Sequence, residues 1–188
     1  HDTPVLTSRL LDAHSASSLF FKGEHLQRAG AFKARGASNA VLGLPDEMAV
    51  RGVATHSSGN HGAALAMAAA QRGIPAWIVM PENAPAVKRA AVAGYGATIV
   101  DCAPTLAARE ETLAEVIDAH GAHVVHPYDD ERVIAGQGTV ALELLRAVPD
   151  LDVIAAPVGG GGLLAGIAVA AKALKPSIEV IGVEPAGA

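Results

Sequence analysis

The chain alternates short apolar runs with longer stretches whose apolar positions recur at helical spacing, and from residue 52 the alternation is regular. "GVATHSS", "PAWIVMP", "ATIVDC" and "AHVVHP" are strand-like runs bounded by Gly, Pro or polar residues. Between them, residues 60–72, 85–93 and 105–119 read as helices, the second led by Pro85 and the third with Thr105 as its N-cap. Strands joined by helical crossovers run the same way, so this order predicts a four-stranded parallel sheet. After Pro127 a second βαβ unit begins: "GQGTVALELLRAV" predicts a helix, "LDVIAAPV" a strand, "GGGGLLAGIAVAAKALK" a helix and "IEVIGV" a strand. Upstream, "SSLFFKGEHL" reads as a strand and its exit, and "FKARGASNAVLGL" as a helix. These cannot join the 52–126 sheet without an extra crossover. The economical arrangement is a larger unit built from residues 1–51 and 132–188, with a smaller four-stranded unit, 52–131, inserted in it. The expected fold class is α/β, with two open, parallel-rich units.

Composition sharpens this picture. Of 188 residues, 51% are hydrophobic and only 3% aromatic, the balance expected of parallel sheets wrapped by small-residue helices. A net charge of -5 without a Lys/Arg-rich run leaves no electrostatic footprint for nucleic acid or an anionic membrane. A small-molecule partner is expected instead. No apolar run reaches the roughly 18 to 20 residues of a membrane span, and no signal peptide opens the chain, which predicts a soluble protein. The one cysteine, Cys102 in "TIVDCAP", sits at a strand end and has no partner for an internal disulfide, as suits a reducing cytoplasm. The chain starts at His1 and stops at Ala188 directly after a strand, which suggests a piece truncated at its C-terminus.

Three stretches could carry chemistry. Gly159-Gly160-Gly161-Gly162 joins a buried strand to a helix, where backbone N–H groups can converge on an anion without Cβ interference and the helix N-terminus adds positive potential. A phosphate suits it. A dinucleotide suits it too: Gly160, Gly162 and Ala165 satisfy G-x-G-x-x-A, and Glu184 ends the next strand where a ribose partner is expected. Lys33, in "AGAFKARGA", follows small and apolar residues near a helix start. A helical lysine is ordinarily solvated, but a partly desolvated one is a good amine nucleophile and forms Schiff bases. The third stretch, "SSGNHG" at 57–62, packs more small polar residues into a strand-to-helix join than an N-cap requires.

Taken in order, "FFKGEHLQRAGAFKARGA", "SSGNHG", "HPYDDERVIAGQGT" and "PVGGGGLLAG" resemble the pyridoxal-phosphate enzymes of the serine/threonine dehydratase and serine racemase group, of the tryptophan-synthase β-subunit fold (fold type II). The resemblance covers nearly the whole chain. It implies that Lys33 carries pyridoxal 5'-phosphate covalently and acts as base at the substrate Cα, that Phe32 packs beside the cofactor ring, and that Gly159, Gly160, Gly161 and Gly162 bind the phosphate. It implies that Asn60 meets the ring oxygen, while Ser57, Asn60, His61 and nearby backbone N–H groups receive the carboxylate of an amino-acid substrate. Ser58 corresponds to the racemases' second proton-exchanging group, facing the ring opposite the lysine. Arg109 falls where racemases place a carboxylate-contacting arginine, although a solvated arginine paired to nearby Glu residues explains it equally. Glu184 and the backbone carbonyl of Ala188 match a site for Mg²⁺ or Ca²⁺, whose further acidic ligand lies past Ala188. His123 and His126, three apart on a strand, point to opposite faces and make no metal pair. Ala31 stands where many members have Ser. The implied activity is dehydration of L-threonine or L-serine to a 2-oxo acid and ammonia. Serine racemisation and hydroxyaspartate dehydration are the alternatives, by a protein that is usually a homo-oligomer. Outside this class stand a dinucleotide-dependent oxidoreductase and a non-catalytic amino-acid sensor.

Overall fold

The computed structural model describes residues 1–187. Four strands form one all-parallel sheet: β3 (Val53–His56), β4 (Ala76–Pro81), β5 (Thr98–Cys102) and β6 (His123–Val124), in the order β5-β4-β3-β6. They follow a short antiparallel pair, β1 (Val5–Thr7) and β2 (Phe20–Lys22), with Val5 opposite Lys22. Beyond them β7 (Val153–Pro157) pairs in parallel with β8 (Glu179–Val183). The helices are α1 (Arg9–Ser15), α2 (Lys33–Leu42), α3 (Asp46–Ala49), α4 (Asn60–Arg72), α5 (Ala86–Ala93), α6 (Leu106–His120), α7 (Glu131–Ala147) and α8 (Gly162–Leu174).

The expected parallel α/β order is present, and the reason lies in the strands themselves. On β3, Val53 packs into an apolar cluster with Leu65 of α4 and Ile78 and Met80 of β4, while Ala54 packs into another with Leu113 and Val116 of α6. Both faces are covered, so the run is apolar throughout rather than alternating. The first cluster also takes in Ala37, Ala40 and Val41 of α2, so it runs across residue 52. A third cluster joins Val140, Leu144, Ile154, Ile167 and Ile178 around β7 and α8.

Several boundaries differ from the sequence expectation. Helix α7 starts at Glu131 rather than near Gly136, because the Asp130 carboxylate accepts from the N–H groups of Arg132 (2.8 Å) and Val133 (3.2 Å) and caps the helix ahead of its apolar stretch. Strand β1 and helix α1 lie outside that expectation; α1 is short and contains no buried residue, so it lacks an apolar stripe to read, although Ser8 caps it. Cys102 ends β5 as a buried free thiol, as expected. Among the described residues no helix is long and apolar enough to cross a membrane.

Candidate active site

Strand order reverses at β3, which leads to β4 on one side and has β6 on the other. Loops leaving the carboxyl ends of β3 and β6 therefore diverge and open a crevice, the usual ligand position in such sheets. The first of these loops is Ser57–Gly59, and the second runs from Val125 to Asp130.

The helix N-termini of this chain are capped in different ways. Ser8, Thr105 and Asp130 cap α1, α6 and α7 with their side-chain oxygens. Helix α4 instead begins after Gly59 and α8 after Gly161, and neither has a side-chain cap. Gly161 has φ of 84°, in the left-handed region that glycine adopts without a Cβ penalty. First-turn N–H groups at both starts are thus available to an anion, and the helix dipole favours one. The donor set of Gly159–Gly162 fits the phosphate of pyridoxal phosphate.

Lys33 is the first residue of α2 and is half-buried. Its Nζ donates to the Pro127 carbonyl at 2.6 Å and lies 5.3 Å from the centroid of the half-buried Phe32 ring. Burial lowers the pKa of this amine, and a helix N-terminus disfavours the ammonium form in the same direction. More of the neutral amine is available than on an exposed lysine, which is what carbonyl chemistry needs.

Two devices hold α2 in place. Glycines let helices cross at backbone contact: a Cβ on Gly136 of α7 would stand 2.6 Å from the Arg35 carbonyl oxygen, and one on Gly138 2.8 Å from that of Gly166 in α8. Helix α7 thereby sets the spacing between Lys33 and the glycine loop. The second device is ionic. Arg35, two residues beyond Lys33, donates to both carboxylate oxygens of Glu24 at 2.8 Å and to Glu143 at 2.5 and 2.7 Å. Lys22 completes the group, 2.6 Å from Glu143.

In "SSGNHG", the Ser57 hydroxyl accepts from the Gly59 N–H at 3.3 Å, and Ser58 is half-buried beside it. Asn60 is exposed, and its carbonyl oxygen accepts from Lys88 Nζ at 2.9 Å, leaving the amide NH₂ as a donor. His61 behaves differently from the sequence expectation. Its side chain is buried, and Nε2 donates to the Val125 carbonyl at 3.0 Å. That bond fixes the tautomer, so Nδ1 carries a bare lone pair, buried and without a partner. Burial, with the neighbouring Lys33 and His126 charges, lowers its pKa to about 4. A neutral ring whose remaining nitrogen is an acceptor repels a carboxylate, so any contact from His61 to one runs through its backbone N–H.

This burial has a pH signature. Between pH 6.5 and about 4 the unfolded chain binds a proton that the native ring refuses, so stability rises with pH across that window and is lost as pH falls, by about 3 kcal/mol in all. His61→Gln keeps a donor for Val125 and removes the titration. Denaturant midpoints of that variant should vary less between pH 6.5 and 4; an unchanged slope would mean that the ring is charged in the native state.

Arg109 lies on α6 with Nε buried and without a hydrogen-bond partner, and it makes no salt bridge among the described residues. The pairing with nearby Glu residues is therefore absent there, and one orphan donor is present. Glu184 is exposed just beyond β8, and Ala188 lies outside the described residues. Among the described residues no cluster of His, Cys, Asp or Glu is arranged to hold a metal. His123 instead faces Arg132 at 3.5 Å, and His126 Nδ1 accepts from the Asp129 N–H at 2.8 Å. Sequence reasoning missed Pro127, Lys88 and the Arg35 network, since none carries a local signal; Asp130 as an N-cap was legible from "DDERV".

Comparison with known proteins identifies relatives that share this fold. Serine racemase from maize superposes with a TM-score of 0.99 at 51% identity, over 100% of this chain and 57% of that one. The processed form of threonine deaminase isoform 2 from Solanum lycopersicum superposes with a TM-score of 0.95 at 36% identity, over 100% of this chain and 55% of that one. The β-hydroxyaspartate dehydratase of Paracoccus denitrificans is 51% identical over 183 residues, 97% of this chain and 58% of that protein. The chain thus spans less than two thirds of each relative. A sequence model for the family described as "Pyridoxal-phosphate dependent enzyme" matches residues 1–188, end to end, and to that family this chain belongs.

Proposed function

We propose that the whole protein dehydrates L-threonine or L-serine, releasing a 2-oxo acid and ammonia. One observation carries this reading: a partly desolvated lysine amine, Lys33, stands beside Phe32 and Pro127, in a fold that also supplies the glycine-led starts of α4 and α8, neither with a side-chain cap. Bound pyridoxal phosphate supplies an electron sink for the charge left at the substrate Cα. The chain does the rest. Gly159–Gly162 hold the phosphate, Lys33 holds the cofactor covalently, and Phe32 packs beside the ring. Asn60 donates its free amide N–H to the ring oxygen. Ser57, the backbone N–H groups at the start of α4 and Arg109, whose Nε has no partner among the described residues, position the substrate carboxylate. The substrate amine would displace Lys33 Nζ, which, once free, would take the Cα proton; loss of the β-hydroxyl as water and hydrolysis of what remains would then release the 2-oxo acid and ammonia.

Serine racemisation is the second reading, supported by Ser58 and by similarity to the maize enzyme; the Paracoccus relative supports hydroxyaspartate as a third substrate. Ser58→Ala in the full-length protein should suppress racemisation at least about tenfold more than dehydration of the L-substrate, because only racemisation needs a proton from the opposite face. Assay of both rates decides it, and equal losses would remove that role. We further propose that residues 52–131 close over bound substrate and exclude water, that the protein is a cytoplasmic homo-oligomer, and that Glu184 and the Ala188 carbonyl hold Mg²⁺ or Ca²⁺, for which oxygen ligands are suited.

The test is borohydride reduction of the full-length protein followed by peptide mass analysis. A phosphopyridoxyl group on Lys33, with 2-oxo acid released from L-threonine or L-serine, supports the proposal. No adduct after adding pyridoxal phosphate would favour the dinucleotide oxidoreductase or the amino-acid sensor, neither of which requires an amine at Lys33.

A further inference from the structure

One segment touches His61, Lys33 and the glycine loop together. In Val125–Tyr128, the Val125 carbonyl accepts from His61 at 3.0 Å and the Pro127 carbonyl from Lys33 at 2.6 Å, while Tyr128 lies against the glycine loop. A Cβ on Gly160 would overlap the Tyr128 ring, and one on Gly162 would stand 2.8 Å from the Tyr128 carbonyl oxygen. Gly159 and Gly161 have open space at the same position. The crowding is thus particular to the two glycines under Tyr128. His126 holds the corner: its Nδ1 accepts from the N–H groups of Asp129 (2.8 Å) and Tyr128 (3.4 Å), and its ring meets the Tyr128 ring edge-on, centroids 4.6 Å apart. Tyr128 is 41% exposed, so its ring packs on the loop rather than in a core.

We propose that Tyr128 is a positioning residue for the glycine loop. Its ring presses on the Cα of Gly160 and its backbone on Gly162, so that the loop amides stay converged on a phosphate. Through Pro127 the same segment fixes the distance from that phosphate to Lys33. Close packing is what transmits the constraint, because a glycine loop has no side chains of its own to hold its shape.

This inference rests on the pyridoxal-phosphate reading and extends it to a residue outside the cradle. The test uses full-length protein stripped of cofactor, titrated separately with pyridoxal phosphate and with pyridoxal, which lacks the phosphate. Absorbance of the imine reports each Kd. Tyr128→Ala should lower the preference for the phosphorylated ring about tenfold, with pyridoxal affinity within about twofold of wild type, and Tyr128→Phe should restore it. An unchanged ratio, or an equal loss for both ligands, overturns the positioning role. A Phe variant as weak as Ala assigns the effect to the hydroxyl and overturns it too. If the wild type binds neither ligand at Lys33, the cofactor reading fails and takes this inference with it, a result distinct from the others.

Discussion

Full-length Lys33→Ala protein is expected to yield no phosphopyridoxyl peptide and to release 2-oxo acid roughly four to six orders of magnitude more slowly, since removal of a group that both attaches and deprotonates abolishes a concerted set of interactions. Lys33→Arg should do no better, because a guanidinium keeps its proton and cannot form the imine. Lys33→Ala should cost little stability, as the amine is held partly desolvated and its removal relieves that burden. Equal unfolding midpoints alongside lost turnover would therefore separate chemistry from folding. Lys88, hydrogen-bonded to Asn60, is the nearby rival amine. An adduct on Lys88 with Lys33 unlabelled would sink the assignment.

The second large effect is on stability. In full-length protein, Glu143→Ala leaves, among the described residues, the Arg35 guanidinium with Glu24 as its only carboxylate partner and Lys22 with only the Thr3 carbonyl. Side chains of Arg35, Glu143 and Lys22 are 5%, 11% and 7% exposed, and breaking a pair buried to that degree costs about 3–5 kcal/mol. The exposed pair Arg146–Asp2, with side chains 68% and 69% exposed, is the control. Arg146→Gln, which breaks this pair without altering Asp2, should cost no more than about 1 kcal/mol. Burial works against the Glu143 charge, but Arg35 and Lys22 hold its carboxyl well below the usual range. The folded pKa is depressed, so this stabilisation is complete above the ordinary carboxylate range and is lost as pH falls through about 4 and below. Denaturant unfolding at neutral and acid pH checks both points. A loss under about 1 kcal/mol at neutral pH would show that the network contributes as a surface pair does.

Legibility followed the range of the interaction. Helix α4 is expected at 60–72 and spans Asn60–Arg72; α6 is expected with Thr105 as N-cap, and the Thr105 hydroxyl accepts from the Ala108 N–H at 3.2 Å. Both signals lie within a few residues of the element they mark. Helix α1, with no buried residue, has no stripe to read. The site divides in the same way. Lys33, the glycine run and "SSGNHG" stand out locally, because a strand ending in small polar residues before a helix is unusual on its own. His61 misleads because a histidine in such a turn looks like a donor, whereas its ring points into the protein and is committed to Val125.

By itself, then, the sequence determined the parallel α/β order, the four motifs and the family resemblance, all of which depend on periodicity, caps and short-range composition. Tertiary structure alone decided which nitrogen of His61 is bonded, that Arg35 meets Glu143 across 108 positions of chain, and that Tyr128 rests on Gly160. The reason is physical. Propensity and patterning act over a turn or a strand, but hydrogen-bond partners and contacts between distant segments exist only once α2, α7 and α8 have crossed at their glycines and brought those segments within reach.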